Sequence, residues 1–333
     1  MEAIYSGHRL LVGRGIKGDG LITARFETKK YCFRNSIHGV RFEGFEKWQE
    51  AVVTAIFWSS LARYYYFTTS GSWGLWHDEI HLENIEDMPI CFPRDIRLRD
   101  RIVRIVEELQ SLDLKPEGLE LGGVEAQRRL PDLERQLDAA VFDLYELNAS
   151  ERDLVQEMCS IGFDLFYRSQ KSSALRAVVR PERNVGTLAE VSQSKNGLSA
   201  YLRIFLKSWN TELAPDGEFV WRVLSPPSGA PLLAVSFATH EKNEPLPKVT
   251  EDEAEAWHKV LAKLEQPSRV HANSSRIFID TFFRHVSERE ILFIKRNEQR
   301  FWTRTAARED VESTLTYLMN QDDVALGSEN EGV

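Results

Sequence analysis

The sequence predicts an α+β fold with a β-rich N-terminal domain, a helical connector and a second, smaller α/β domain. Three observations support this prediction. Short alternating apolar runs between glycines fill the chain before Lys47, which is typical of strands. From Lys47 to about residue 167, apolar residues recur at helical spacing, and after about residue 196 both patterns return. A length of 333 residues is enough for two domains.

The predicted boundaries follow these changes of pattern. We expect the β-rich domain at 1–93, the helical connector at 94–167, a polar linker at 168–195, the α/β domain at 196–320 and a disordered tail at 321–333. Residues 47–70 predict a single buried helix that ends at the following glycines. Residues 98–112 and 131–147 predict paired helices with coiled-coil-like apolar stripes.

The composition is that of an ordinary globular protein. Hydrophobic residues make up 42% and charged residues 28%, which argues against wholesale disorder. No window approaches the roughly 18 apolar residues of a membrane span, and the N-terminus lacks a signal-peptide pattern. Cys32, Cys91 and Cys159 lack metal-type spacing and are typical of reduced thiols. We therefore expect a cytoplasmic protein with no membrane partner.

The charge is unevenly distributed along the chain. A net charge of -9 argues against a protein that coats nucleic acid indiscriminately. Residues 1–50, however, carry nine Lys or Arg against six Asp or Glu, a balance of +3. This basic N-terminal part is compatible with a localised nucleic-acid interface, and solvated faces of mixed charge are the alternative.

The sequence contains no motif that supports a catalytic site. The P-loop pattern is absent, and so is the Asn/Asp-Pro-Pro-aromatic tetrapeptide of amino-methylating enzymes. Gly13, Gly15 and Gly18 have GxGxxG spacing, but they precede a predicted strand and lack a βαβ context. We expect no cofactor, no binding of S-adenosylmethionine and no methyltransferase activity.

The histidines provide only weak metal candidates. His77 and His81 are four residues apart, but the glutamate between them is one place late for a zinc-protease helix. Asp280 with His271 and His285 could form a metal or nuclease site, although nothing in the sequence fixes their geometry. We therefore expect no bound metal.

The order of the segments is more informative than any single motif. A strand-rich start ends in YCFRNSIHGVRF, and a helix containing AIFWSSLARYYYF follows. Next come TSGSWG, DEIHLENIEDMPICFP, an arginine-rich helix and LERQLDAAVFDLYELNASERDLV. In this order and spacing, residues 8–165 resemble the C-terminal target-recognition region of N6-adenine DNA methyltransferases. The similar proteins are the fused restriction-modification enzymes and the related specificity subunits of type I systems. The methyltransferase domain that precedes this region in the fused enzymes is missing from the chain.

The resemblance implies a non-catalytic, specificity-like subunit of a methyltransferase-based restriction-modification or phage-defence complex. Its implied partners are double-stranded DNA and an N6-adenine DNA methyltransferase subunit. Polar and basic residues on turn-rich segments would contact the DNA. The expected DNA-binding residues are Arg14, Lys17, Lys29, Lys30, Arg34, Asn35, Ser36, Ser70, Ser72 and Trp73. For Trp73 and Trp76 we favour packing that pins the glycine-rich loop to its domain, with base stacking by Trp73 as the alternative.

The paired helices carry a second implication. In specificity subunits such helices form a spacer that docks the methyltransferase. The expected partner-binding residues are Ile102, Val106, Leu109, Val141 and Phe142. The alternative is an ordinary helical hairpin that packs on its own domain.

Two other functions remain open from the sequence. The C-terminal domain could be a nuclease or another effector that the N-terminal domain targets. The chain could also be a structural scaffold subunit of such a complex, which its acidic net charge favours.

Overall fold

The chain folds into two compact units, Met1–Ser169 and Gln170–Val333, each with one antiparallel sheet. The computed structural model describes residues 5–18, 20–30, 32–74, 77–112, 121–227, 229–242, 244–246, 252–268, 282–287 and 289–329. The fold is mixed α/β, as the sequence predicts. No helix in these ranges combines the length and the apolar character needed to cross a membrane.

The first unit places a three-stranded sheet against helices. Its elements are β1 (Arg9–Gly13), β2 (Ala24–Glu27), β3 (Ile37–Arg41), α1 (Lys47–Trp58), α2 (Ser60–Thr69), α3 (Leu82–Glu86), α4 (Ile96–Ser111), α5 (Leu121–Leu144), α6 (Ala149–Glu157) and α7 (Phe163–Arg168). The strand order is β2-β1-β3, and both outer strands run antiparallel to β1. Leu10 lies opposite Phe26 and Val40, so these side chains point to the same face.

The single helix predicted for residues 47–70 is two helices, and that prediction is wrong. Ser59 is extended between α1 and α2, and its hydroxyl accepts a hydrogen bond from the Ala62 N–H. The Ser60 N–H donates to Asp138 on α5 at 2.7 Å. These two side chains accept hydrogen bonds from backbone N–H groups that have no partner within the first turn of α2. A new helix can therefore begin here, and the chain bends although the apolar pattern continues. The predicted glycine C-cap is also absent, since Ser70, the residue after α2, is extended at φ -77 and Gly71 is not in the left-handed region.

The predicted boundary at residue 93 does not divide the first unit. Val12 on β1 and Ile56 on α1 belong to the same buried cluster as Ile102 on α4 and Val141 on α5. The segment predicted as a connector therefore completes the hydrophobic core of the segment before it.

The second unit is a five-stranded sheet with helices on both faces. Its elements are β4 (Val185–Gly186), α8 (Leu188–Val191), α9 (Gly197–Leu213), β5 (Gly217–Leu224), β6 (Leu232–Glu241), α10 (Glu253–Ser268), β7 (Phe282–Val286), β8 (Glu290–Arg296) and α11 (Arg304–Glu329). The strand order is β4-β5-β6-β8-β7. On β6, Val235 and Phe237 join the core with α9 and α11, whereas Ala234 joins a smaller core with α10.

The two predicted flanks of this unit differ from the structure. The predicted linker 168–195 contains β4, which pairs with β5, and it contributes Val178 and Val191 to the core. The predicted disordered tail begins inside α11, which continues to residue 329, and residues 330–333 lie outside the described ranges.

A buried ion pair joins β8 to α11 in the second unit. Lys295 and Asp310 are 5% and 6% exposed, and their charged groups are in direct contact. The Tyr201 hydroxyl donates to the same Asp310 carboxylate at 2.5 Å. Burial lowers the pKa of Lys295, and the neighbouring Asp310 opposes this shift.

Candidate nucleic-acid interface

The strand β1 continues past its end into a short pairing with residues 78–80. The Ile16 N–H donates to the Asp78 carbonyl at 2.7 Å, and the Ile80 N–H donates to the Arg14 carbonyl at 2.8 Å. The Arg14 guanidinium contacts one carboxylate oxygen of Glu79 through two nitrogens, at 2.9 and 2.8 Å. Arg14, predicted to bind DNA, is therefore engaged within the protein and stabilises this end of the sheet.

A β-turn at Arg34–Ile37 lies beside this pairing. The Ile37 N–H closes the turn on the Arg34 carbonyl at 3.0 Å, and the Arg14 N–H donates to the Ser36 carbonyl at 2.9 Å. Arg34, Asn35 and Ser36 are all exposed. Backbone hydrogen bonds thus fix the turn while its side chains remain accessible.

Lys17 is exposed on a loop at the same end of the sheet. The Gly20 N–H donates to the Lys17 carbonyl at 2.8 Å, and the Arg63 side chain donates to the Gly20 carbonyl at 3.0 Å. Gly20 has φ +75, and a Cβ there would lie 3.2 Å from the Phe163 ring. Glycine is therefore required where this loop packs on the unit.

Residues 28–30 and 32–36, which we call the crossover, connect the end of β2 to the beginning of β3. The outer strands flank β1 and run in the same direction, so the crossover leads from one end of the sheet to the other. Arg9 on β1 lies opposite Glu27, beside the start of the crossover, and is fully buried. Its guanidinium donates to the carbonyls of Gly7 and Lys29 at 2.7 and 2.5 Å. The Glu27 carboxylate accepts hydrogen bonds from the backbone N–H groups of Lys29 and Thr28, and these bonds lower its pKa. These contacts anchor the segment that carries exposed Lys29 and Lys30.

Arg25 and Arg41 extend this basic surface and were not predicted from the sequence. Both point to the face of the sheet opposite Leu10, as the strand register requires. The Arg25 side chain is 77% exposed and lies 3.8 Å from Glu27, whereas Arg41 pairs with exposed Glu43 at 3.1 Å. The alternation of side chains in ARFE and IHGVR could have identified them. Each arginine is next to an apolar residue that faces inward, and neighbouring residues on a strand point to opposite faces.

Four cations of this surface have no ionic partner within the described part of the protein. Lys17, Lys29, Lys30 and Arg34 are exposed, and none of them forms an ion pair with a residue that the structure describes. Lys29 and Lys30 lie near the start of β1, and Lys17 and Arg34 lie near its end. The two ends are separated by roughly 14 Å, the rise of four strand residues. This distance corresponds to about four base-pair steps of DNA.

Two of the three DNA contacts predicted in the loop after α2, Ser70 and Trp73, are buried. Ser70 is 6% exposed, and its hydroxyl donates to the Glu79 carbonyl at 3.2 Å. Trp73 is 4% exposed, so it cannot stack on a base in this structure. Its packing role is confirmed, while Trp76 lies outside the described residues. Ser72 is half-buried and lies 2.7 Å from a His81 ring nitrogen.

The predicted partner-binding residues require a similar correction. Ile102, Val106, Val141 and Phe142 are buried within the first unit, and Leu109 packs against its core. Because their own unit already covers the four buried side chains, a partner could reach them only if this packing opened. The structure agrees with the alternative of a helical pair that packs on its own domain.

The described residues contain no group of three His, Cys, Asp or Glu side chains arranged to hold a metal ion. His81 lies beside Ser72, and it is the residue that precedes α3. Asp280 and His271 lie outside the described ranges.

Comparison of the chain with protein-family models, curated proteins and solved structures finds no match.

Proposed function

We propose that this chain is a non-catalytic DNA-recognition subunit, similar to a specificity subunit, of a methyltransferase-based restriction-modification or phage-defence complex. One observation carries the DNA-binding part of this proposal. Exposed cations that have no ionic partner among the described residues lie at both ends of one sheet, three on the anchored crossover and one, Lys17, on the loop after β1. The order of segments in residues 8–165 supports the class of complex.

The chemistry of the surface fits phosphate contacts. Free lysines and arginines that meet DNA phosphates release condensed counterions, which favours binding and makes it dependent on salt. A cation that is already paired, such as Arg14, contributes less because it must leave its carboxylate. The crossover cations have no ionic partner to leave among the described residues, and their anchored backbone limits the entropy lost on binding.

The proposed methyltransferase partner must contact surfaces other than the buried stripe of α4 and α5. Support for this partner comes from the sequence resemblance. A methyltransferase subunit that co-purifies with the chain under native conditions would test this part directly.

Salt-dependent DNA binding tests the interface itself. We would purify the full chain natively, with any subunit that accompanies it, and measure its affinity for duplex DNA over a range of salt concentrations. Replacing Lys29, Lys30 and Arg34 together by Ala should weaken binding and reduce the salt slope by about 0.9 for each phosphate that the protein no longer neutralises. The matched control replaces Lys171, Lys195 and Lys207, three exposed cations of the second unit.

The outcomes separate the proposal from its alternatives. The control variant should keep the wild-type affinity and slope. If the crossover variant also keeps them, its cations are only a solvated surface and the scaffold function gains support.

A further inference from the structure

We infer that Asn35 reads an adenine in the DNA major groove, an inference that rests on the proposed DNA-recognition function. The inference concerns sequence specificity, which phosphate contacts by the surrounding cations cannot supply. It is carried by the way in which the turn at Arg34–Ile37 is built.

Asparagine in a turn usually has a structural task. Its side chain commonly bonds the backbone two residues on and so replaces a backbone turn contact. Here the Ile37 N–H closes the turn on the Arg34 carbonyl, and the Arg14 N–H occupies the Ser36 carbonyl. The Asn35 carboxamide is exposed and forms no hydrogen bond with any residue that the structure describes. The turn therefore does not depend on this side chain.

Hydrogen bonds and an ion pair hold the backbone beneath the turn. The Arg14 side chain is held by Glu79, and the backbone from Arg14 to Ile16 pairs with residues 78–80. A polar group on such an anchored turn loses little freedom when it binds, which favours directional recognition.

The chemistry of the carboxamide identifies the base. Asn presents one acceptor and one donor side by side, which match the N6 donor and N7 acceptor of adenine in the major groove. Neighbouring Arg34 is suited to a phosphate contact that sets the register. Ser36 can bond several bases and therefore discriminates poorly.

The test is selection of bound duplexes from a random-sequence library by the full, natively purified protein. Wild-type protein should select a consensus, and Asn35→Ala should lose the preference for adenine at one position by roughly 5- to 150-fold. Asn35→Asp, which only accepts hydrogen bonds, should change that position from adenine to cytosine, whose N4 group donates. Arg34→Ala should keep the consensus but weaken binding to all sequences and reduce the salt slope by about one.

The results separate this inference from the proposed function. If both Asn35 variants keep the wild-type consensus, the assignment is wrong although DNA recognition stands. If wild-type protein selects no consensus, or if its binding does not depend on salt, the proposed function fails. Thermal unfolding midpoints of the Asn35 variants should equal that of the wild type, and a large decrease would overturn the inference by showing that the carboxamide is structural.

Discussion

The indole of Trp73 lies flat against the ring of Phe163, with centroids 5.7 Å apart and planes inclined by only 2°. The indole N–H also donates to the Tyr167 hydroxyl at 2.6 Å. Trp73 follows α2, whereas both partners belong to α7, so this contact joins segments that are far apart in the chain. The glycine-rich loop is thereby fixed to the end of the first unit.

Replacing Trp73 by Ala should destabilise the first unit by about 3–5 kcal/mol, because a large buried aromatic side chain is removed. Replacing it by Phe should cost less, since one ring remains, although part of the indole volume and the hydrogen bond to Tyr167 are lost. Hydrogen exchange at the α7 amides would measure both effects. Neither variant should change the DNA affinity of the folded protein, and a weaker affinity at an unchanged salt slope in a folded Trp73→Phe protein would revive the base-stacking alternative.

The local elements were predictable where one periodicity dominates. The hairpin of β5 and β6 and the helices α9, α10 and α11 follow directly from apolar spacing and turn residues. The break at Ser59 was not predictable, because it depends on Asp138, whose bond to Ser60 spans 78 positions of the chain. The state of Arg14 likewise depends on Glu79, 65 positions away. Such distant polar partners leave no periodic signal.

The apolar stripe of α4 shows a second limit of sequence patterns. Ile102 and Val106 identify the buried face of a helix, but their spacing does not reveal whether a partner or the chain itself covers that face. The same limit applies to the basic surface. The charge balance of residues 1–50 indicated an interface, but only the tertiary contacts show that Arg14 is paired with Glu79 while Lys29 has no ionic partner among the residues that the structure describes.

The buried stripe of α4 predicts the effect of an introduced charge. Val106→Asp should destabilise the first unit by at least about 4 kcal/mol, because an uncompensated carboxylate would be buried. Gln110→Asp is the matched control, since Gln110 is exposed one turn later on the same helix. Chemical unfolding of the isolated chain would measure both variants. If Val106→Asp retained wild-type stability but released a co-purifying subunit, the partner-binding assignment of this stripe would be restored.

Asp138 predicts a dependence of stability on pH. Burial raises its pKa, and the hydrogen bond from the Ser60 N–H partly opposes the shift. Between the unfolded and folded pKa values, the folded state retains a proton that the unfolded state has released. This contribution therefore lowers the free energy of unfolding as the pH rises through that window.

Asp138→Asn should remove this contribution while keeping an oxygen that accepts from Ser60. Unfolding measured at pH values from about 4 to 8 should show a smaller decrease with pH than in the wild type. Asp138→Ala removes the acceptor as well and should cost about 1–3 kcal/mol relative to Asn. Identical pH profiles for the wild type and Asp138→Asn would show that the carboxyl group titrates alike in both states. Burial raises the pKa of Glu134, and the Asp138 charge raises it further, so both replacements also reduce this second contribution to the pH dependence.

The ion pair of Lys295 and Asp310 predicts strong coupling between β8 and α11. Lys295→Met removes the cation and leaves a buried carboxylate beside the Tyr201 hydroxyl, so it should cost about 3–5 kcal/mol. Adding Asp310→Asn removes that carboxylate charge while keeping an oxygen that can accept from Tyr201. The double variant should therefore be more stable than Lys295→Met alone, which hydrogen exchange at the β8 amides would measure. Lys259→Met breaks an exposed pair with Glu255 and should change stability by less than about 1 kcal/mol. A double variant that is no more stable than Lys295→Met alone would show that charge does not couple the two buried groups, and that packing attaches α11 to the sheet.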